Sequence, residues 1–218
     1  GVRHATDHIA HDLRTPLTRL RNRLEDLRQQ QTDPGVQLRL DKALAETDQL
    51  LQSFGALLRL ARIEAQPLEG DAPLQDLREL ADDAVELYAP IAAERGIRIS
   101  TQLQTVTVRG DRDQLFQLLV NLLDNALKYA PPGSEVTLSL EAQPDGACLQ
   151  LADAGPGIPE HERARVFDRF QRLEAHRGSP GVGLGLSLVR AIVAHHGGHI
   201  ELQDNAPGLR VRVMLPFP

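Results

Sequence analysis

The sequence predicts a helical hairpin, paired with a second copy into a four-helix bundle, and a mixed α/β domain behind it. Three observations predict this. Apolar residues recur every three or four positions from Ile9 to Leu27 and from Val36 to Ala61, interrupted by the turn "TDPG". The segment "QPLEGDAP" then breaks the pattern with two prolines and a glycine. Beyond it, alternating strand-like runs are interleaved with amphipathic helices.

The first helix carries Val2, Ile9, Leu13, Leu17, Leu20, Leu24 and Leu27, and the second carries Val36, Leu40, Leu44, Thr47, Leu51, Phe54, Leu58 and Ala61. A short turn between two such helices makes an antiparallel hairpin. One hairpin cannot enclose both stripes, so a homodimer through residues 1–65 is expected. Residues 66–73 read as a linker and 74–218 as the second domain. There, 74–94 look helical, and "IRISTQL" and "VTV" look like strands. Residues 112–130 form a long helix with Asp111 as its N-cap. "EVTLSL" and "ACLQLA" pair around "PDG"; a helix covers 184–196; "HIELQD" and "LRVRVMLP" close the chain around "NAPG".

Composition narrows the function. The net charge of -6 and the lack of a basic tract argue against nucleic acid and against direct membrane contact. No apolar run approaches the ~20 residues of a membrane helix. The single cysteine, Cys148, excludes an internal disulfide and falls in an alternating apolar run, as a small buried hydrophobe would. The chain begins inside a helical pattern with no capping residue, so a further segment is expected upstream. "HHGGH", 195–199, reads as a helix C-cap followed by a strand rather than as a metal cluster.

Four stretches carry chemistry. In "HDLRTPL", His11 falls about 200° around the helix from Ile9, away from the apolar seam. Pro16 lacks an N–H and crowds the carbonyl of Asp12, which bends the helix beside the histidine. A tolerated kink with a solvated histidine has the same pattern. In "NLLDNALKY", Asn121, Asn125 and Lys128 share one helical stripe. Amide oxygens suit a hard cation and a lysine suits phosphate, although a plain polar face has the same spacing. In "DAGPGIP", Gly155 and Gly157 permit either close approach to a ligand or a strand-end turn. In "GVGLGLSLV", glycines open a helix whose free N–H groups can hold phosphate. No G-x-x-x-x-G-K-[S/T] pattern occurs, so this is not a P-loop enzyme.

In their order along the chain, these stretches resemble the motif boxes of sensor histidine kinases of two-component systems. The resemblance covers nearly the whole sequence and implies a dimerisation and phosphotransfer hairpin followed by an α/β sandwich ATP-binding domain of the gyrase, Hsp90 and MutL kind. It implies that His11 is the phosphoacceptor, Asp12 its base or orienter, and Thr15 the residue that positions water for dephosphorylating a partner. It implies that Asn125 and Asn121 hold Mg²⁺ and that Lys128 and Tyr129 belong to the ATP site. Asp153 would accept from the adenine amino group, with Gly155, Gly157 and Ile158 beside it. "FDRFQR" resembles the F box: Phe167 and Phe170 would anchor a lid, Arg172 would approach the γ-phosphate, and Arg169 would be a second candidate. Gln171 stands where the family often has tyrosine. Gly181, Gly183, Leu184, Gly185 and Leu186 match the last glycine box.

The implied partners are a second copy and a response-regulator receiver domain docking below His11, near Leu17, Arg21 and Leu24. The implied location is the cytoplasmic portion of a bacterial inner-membrane sensor. Against this stand a non-catalytic ATP-binding scaffold and another ATPase of the same superfamily. Phosphoryl incorporation separates the first, and the histidine hairpin argues against the second.

Overall fold

The computed structural model describes residues 2–65, 72–171 and 183–218, with side chains from Thr15 onward. Two long helices come first, α1 (Val2–Gln30) and α2 (Pro34–Glu64). α1 runs through Pro16 without ending. The turn works as a helix start: Asp33 accepts from the N–H groups of Gly35 at 2.7 Å and Val36 at 3.4 Å, and Pro34 takes the first helical position. The hairpin's register is set by ion pairs, Arg21 to Asp48 at 2.7 Å and Arg28 to Asp41. Leu44 and Thr47 are buried in the hairpin. Leu20, Leu27, Leu38 and Leu50 are exposed, at 47–58%. Ala61, expected in the seam, is exposed as well.

The second part is built on β1 (Leu74–Asp76), α3 (Leu77–Glu94), β2 (Arg98–Leu103), β3 (Thr107–Arg109), α4 (Arg112–Tyr129), β4 (Glu135–Gln143), β5 (Gly146–Ala152), α5 (Gly185–His195), β6 (His199–Asp204) and β7 (Leu209–Leu215). Short 3₁₀ turns at Glu160–Glu162 and Arg165–Phe167 lie between β5 and α5. The main sheet runs β2-β4-β5-β7-β6, with β2 parallel to β4 and the other pairs antiparallel. The parallel pair needs a crossover, and α4 supplies it. β1 corrects the helix expected from residue 74. Leu74–Asp76 pairs with β3, and α3 starts only once Asp76 caps the N–H of Arg78 at 2.9 Å.

Strand alternation divides the sheet into two faces. Val136, Leu138, Leu140, Leu149, Leu151, Val211 and Val213 point to one side and pack with the leucines of α4 and with Leu188, Val189, Ile192 and Val193 of α5. Cys148 is fully buried but belongs to the opposite face. There the Arg212 guanidinium donates to its Sγ at 3.4 Å and the buried Met214 is its cross-strand neighbour. Leu60 and Ile63, the last turn of α2, are buried in this same core. The hairpin therefore ends inside the packing of the second part.

Candidate functional site

A cavity of about 520 Å³ opens between α4, the loop after β5 and the start of α5. α4 holds its position because Asp111 caps it, accepting from the N–H of Gln114 at 3.0 Å. Asn121, Asn125, Lys128 and Tyr129 all line the cavity. Asn121 spends its amide N–H on the Gln117 carbonyl at 2.7 Å, which leaves its oxygen uncommitted. The amide nitrogen of Asn125 is buried and has no hydrogen-bond partner, a cost that a bound group would relieve. The Lys128 ammonium lies 5.0 Å from the centroid of the Tyr129 ring.

Gly185 explains its own identity here. A Cβ on it would lie 3.3 Å from the Asn125 amide nitrogen and 3.8 Å from the Asn121 oxygen. The glycine loop thus closes directly onto the two amides. Gly183, Leu184 and Leu186 line the cavity with it, and Gly183 has φ +74°.

The other end is built around Asp153, which is 6% exposed. Its Oδ1 accepts from the N–H of Gly155 at 2.7 Å and of Leu209 at 3.3 Å. Both bonds fall on one oxygen, so the other remains for a donor. Burial pushes this carboxyl above the usual aspartate range, and the two N–H groups pull the other way. Gly157, with φ +70°, and Ile158 line this end beside Leu151, Leu209 and Val211. An apolar slot with one buried acceptor suits a flat heteroaromatic ring bearing an N–H donor.

The structure brings together most of the residues singled out in the sequence, with some exceptions. Gly155 supports Asp153 and does not line the cavity. Phe170 is 55% exposed outside it, with φ +63° and its N–H donating to the Gly183 carbonyl at 3.0 Å. Phe167 is buried against the core, with the Arg190 guanidinium over its ring. Gln171 does line the cavity. Thr15 lies on the half-buried side of α1, and Arg21 is engaged by Asp48. Arg172, Gly181 and the side chains of His11 and Asp12 lie outside the described residues.

Sequence reasoning missed part of the wall. Tyr88 of α3 lines the cavity, its hydroxyl pushed up to about 12 by burial and by Asp124. Asn205 donates to the Asp153 carbonyl at 2.9 Å and holds the loop from outside. Gln52, Ala56 and Arg59 of α2 also face the cavity. Their spacing is visible in the sequence, but nothing there tells it from a solvated face. His196 was read only as a cap. It is 3% exposed, with Nδ1 on the Ile192 carbonyl at 2.8 Å and Nε2 accepting from the Asp111 N–H at 3.2 Å. It ties the end of α5 to the start of α4.

A helical hairpin joined to a five-stranded sheet, with an apolar slot over a buried carboxylate and a glycine loop closed onto two amides, defines a two-part ligand-binding module. Residues 110–218 match the family of histidine kinase-, DNA gyrase B-, and HSP90-like ATPases, and residues 2–66 match the His Kinase A (phospho-acceptor) domain. The chain belongs to the histidine kinase family. It is 38% identical over 221 residues to a signal transduction histidine-protein kinase/phosphatase MprB of Mycobacterium sp. (strain KMS), covering 94% of this chain and 42% of that protein. Its counterpart in Mycobacterium avium (strain 104) is 36% identical over 208 residues, covering 91% and 39%. The chain thus spans less than half the length of these relatives.

Among solved structures, the mycobacterial sensor histidine kinase MprB superposes with a TM-score of 0.59 at 36% identity, covering 66% of this chain and 97% of that one. Full-length ShkA in complex with AMPPNP gives 0.80 at 28% identity, covering 98% and 46%.

Proposed function

We propose that this chain is the catalytic core of a sensor histidine kinase, which moves the γ-phosphoryl group of ATP to His11 and then to an aspartate of a response regulator. The observation that carries the reading is the glycine loop closed onto two asparagine amides, in a chain whose first helix bears the phosphoacceptor segment. The ATP analogue held by ShkA supports nucleotide at the corresponding site.

Each part has a physical task. Asp153 accepts from the adenine amino group through the oxygen its backbone partners leave over. The N-terminus of α5 and Lys128 favour the phosphates. The uncommitted oxygen of Asn121 fits Mg²⁺, which prefers oxygen ligands and retains water, and the side-chain oxygen of Asn125 would join it, while the unpartnered amide N–H of Asn125 would donate to a phosphate oxygen or a metal-bound water. Mg²⁺ supplies charge neutralisation on the phosphates when bound. Nε2 of His11 attacks the γ-phosphorus, the P–N bond forms, and the bond to ADP breaks. Asp12 orients the ring and takes its proton. Arg172 belongs at the γ-phosphate and Gly181 at the loop. Thr15 positions water for the reverse duty, phosphatase action on the regulator. The kinase/phosphatase naming of the mycobacterial relatives supports both directions.

The working division is a hairpin at 1–65, a linker at 66–73 and an ATP-binding domain at 74–218. Leu20, Leu27, Leu38 and Leu50 leave apolar surface on the hairpin that a second copy would cover, giving the homodimer. No described helix is long and apolar enough to cross a membrane. The assignment to the cytoplasmic portion of a membrane sensor rests on the family.

Incubation with γ-labelled ATP and Mg²⁺ tests the reading. Acid-labile, base-stable label on the wild-type chain and none on His11→Gln is expected. Equal labelling of both would refute His11 as the acceptor. ATP binding without label, and without dephosphorylation of a labelled regulator, would favour a nucleotide-gated scaffold.

A further inference from the structure

The nucleotide cavity is walled on one side by the hairpin. Gln52, Ala56 and Arg59 stand at i, i+4 and i+7, one stripe of α2, and all three line the cavity. Across from them Asn121, Asn125 and Lys128 repeat the same spacing on α4.

Two observations show that α2 is seated there by more than chance contact. Leu60, next to Arg59, and Ile63, one turn further on, are buried in the core of the sheet domain. The carboxylate of Glu64 accepts from the Arg169 guanidinium at 2.6 and 2.7 Å. The register of the hairpin then gives Arg59 its significance. Arg28 stands against Asp41 and Arg21 against Asp48. Continuing this antiparallel register brings the backbone of His11 level with about Leu58, beside Arg59.

Charge points the same way. Among the described residues lining the cavity, Arg59 and Lys128 are the two cations, set against Asp124 and Asp153. The Lys128 ammonium already sits over the Tyr129 ring. Beside Lys128 and the other groups assigned to the phosphates, a guanidinium in the same cavity offers a planar fork of donors for phosphate oxygens.

We infer that Arg59 of the hairpin is a nucleotide-binding residue, contacting the phosphate chain from the phosphotransfer side of the cavity. The site then senses hairpin position directly, because part of the phosphate grip belongs to α2. This rests on the nucleotide reading given above.

The test is displacement of a fluorescent adenine nucleotide from the whole chain, with Mg²⁺, by adenosine, ADP and a non-hydrolysable ATP analogue. Arg59→Gln should weaken the ATP analogue about tenfold, the loss of one charge-assisted hydrogen bond, with adenosine unchanged. Arg59→Lys should recover part of that loss. A merely structural wall would weaken all three ligands alike, and that result would overturn the inference. So would unchanged affinity for every ligand. Asp153→Asn separates the two levels of the argument, since it should weaken adenosine as much as the ATP analogue. If Asp153→Asn binds all three as the wild type does, or if the wild type binds none, the nucleotide reading fails and the Arg59 contact with it.

Discussion

Gly185→Ala separates what the glycine loop does for binding from what it does for stability. Gly185 is the first residue of α5, where alanine is the better helix former by up to ~1 kcal/mol. The new Cβ would lie 3.3 Å from the Asn125 amide nitrogen and 3.6 Å from its oxygen. Ordinary contact begins near the second of these distances, so the amide must give by a few tenths of an ångström. A core could absorb that shift. A Mg²⁺ held by these side chains, as proposed, would absorb it poorly, because that ion demands near-ideal octahedral geometry at about 2.0–2.1 Å. Stability should therefore change by under ~1 kcal/mol, in either direction. Affinity for Mg²⁺–ADP should fall about tenfold, or ~1.4 kcal/mol. Urea unfolding and calorimetric titration on the same preparation read the two quantities. A folded variant that binds within twofold of wild type would refute the reasoning, and so would a loss of affinity that simply tracks a loss of stability.

Gly208→Ala should do the opposite and destabilise by on the order of 2–4 kcal/mol in urea unfolding. Its φ is +115° and a Cβ would lie 1.8 Å from the Asp153 carbonyl oxygen; a change below 0.5 kcal/mol would contradict this. Burial holds the pKa of His196 below its ordinary 6.5, so its contribution is fully present above pH 6.5 and is lost as pH falls toward the folded value. Denaturant unfolding of wild type and His196→Gln from pH 7.5 to 5 should show a fall in the wild type that the variant lacks. Asp153 has the reverse sign. Its raised pKa makes the buried carboxyl least costly below about 3.8 and increasingly costly as pH rises through the folded value, so Asp153→Asn should be no less stable than wild type at pH 7.5. Glu64 and Arg169 are each about half exposed, and a double-mutant cycle should give a coupling under ~1 kcal/mol that shrinks in high salt.

The sequence disclosed features whose cause is local. Asp111 announces a helix start because capping is decided within three residues, and the turn read at "TDPG" contains a second cap of the same kind, Asp33, which the structure reveals. Asn121, Asn125 and Gly185 are conspicuous because amides and glycines are poor helix material. Long-range pairing left no such trace. Leu74–Asp76 is three residues long and takes its strand character from Thr107–Arg109, so nothing in its own pattern distinguishes it from the helix that follows. The parallel β2–β4 pair likewise depends on a crossover that alternation does not encode. Cys148 was correctly expected to be buried, but an alternating run does not say which face will be covered, and here Cys148 is buried on the outer one, beside Arg212 and Met214. The α2 wall was illegible for the same reason: glutamine, alanine and arginine on a helix look solvated until another domain is brought against them.

The bond between His196 and Asp111 sets how α5 can move. α4 and α5 run antiparallel, fastened at one end by that bond and meeting at the other where Gly185 faces Asn121 and Asn125. Phosphate bound at the glycine loop, as proposed, would act on the end away from that bond. A rod pinned at its far tip and pulled at its near one pivots rather than slides, and points on its outer flank move in proportion to their distance from the pin. That flank carries Arg190, Ala191 and Ala194, which share a cavity with Leu60 and Ile63 of the hairpin. The pinned helix would then act as a lever, with nucleotide at the long arm and the base of the phosphotransfer hairpin packed nearer the pin.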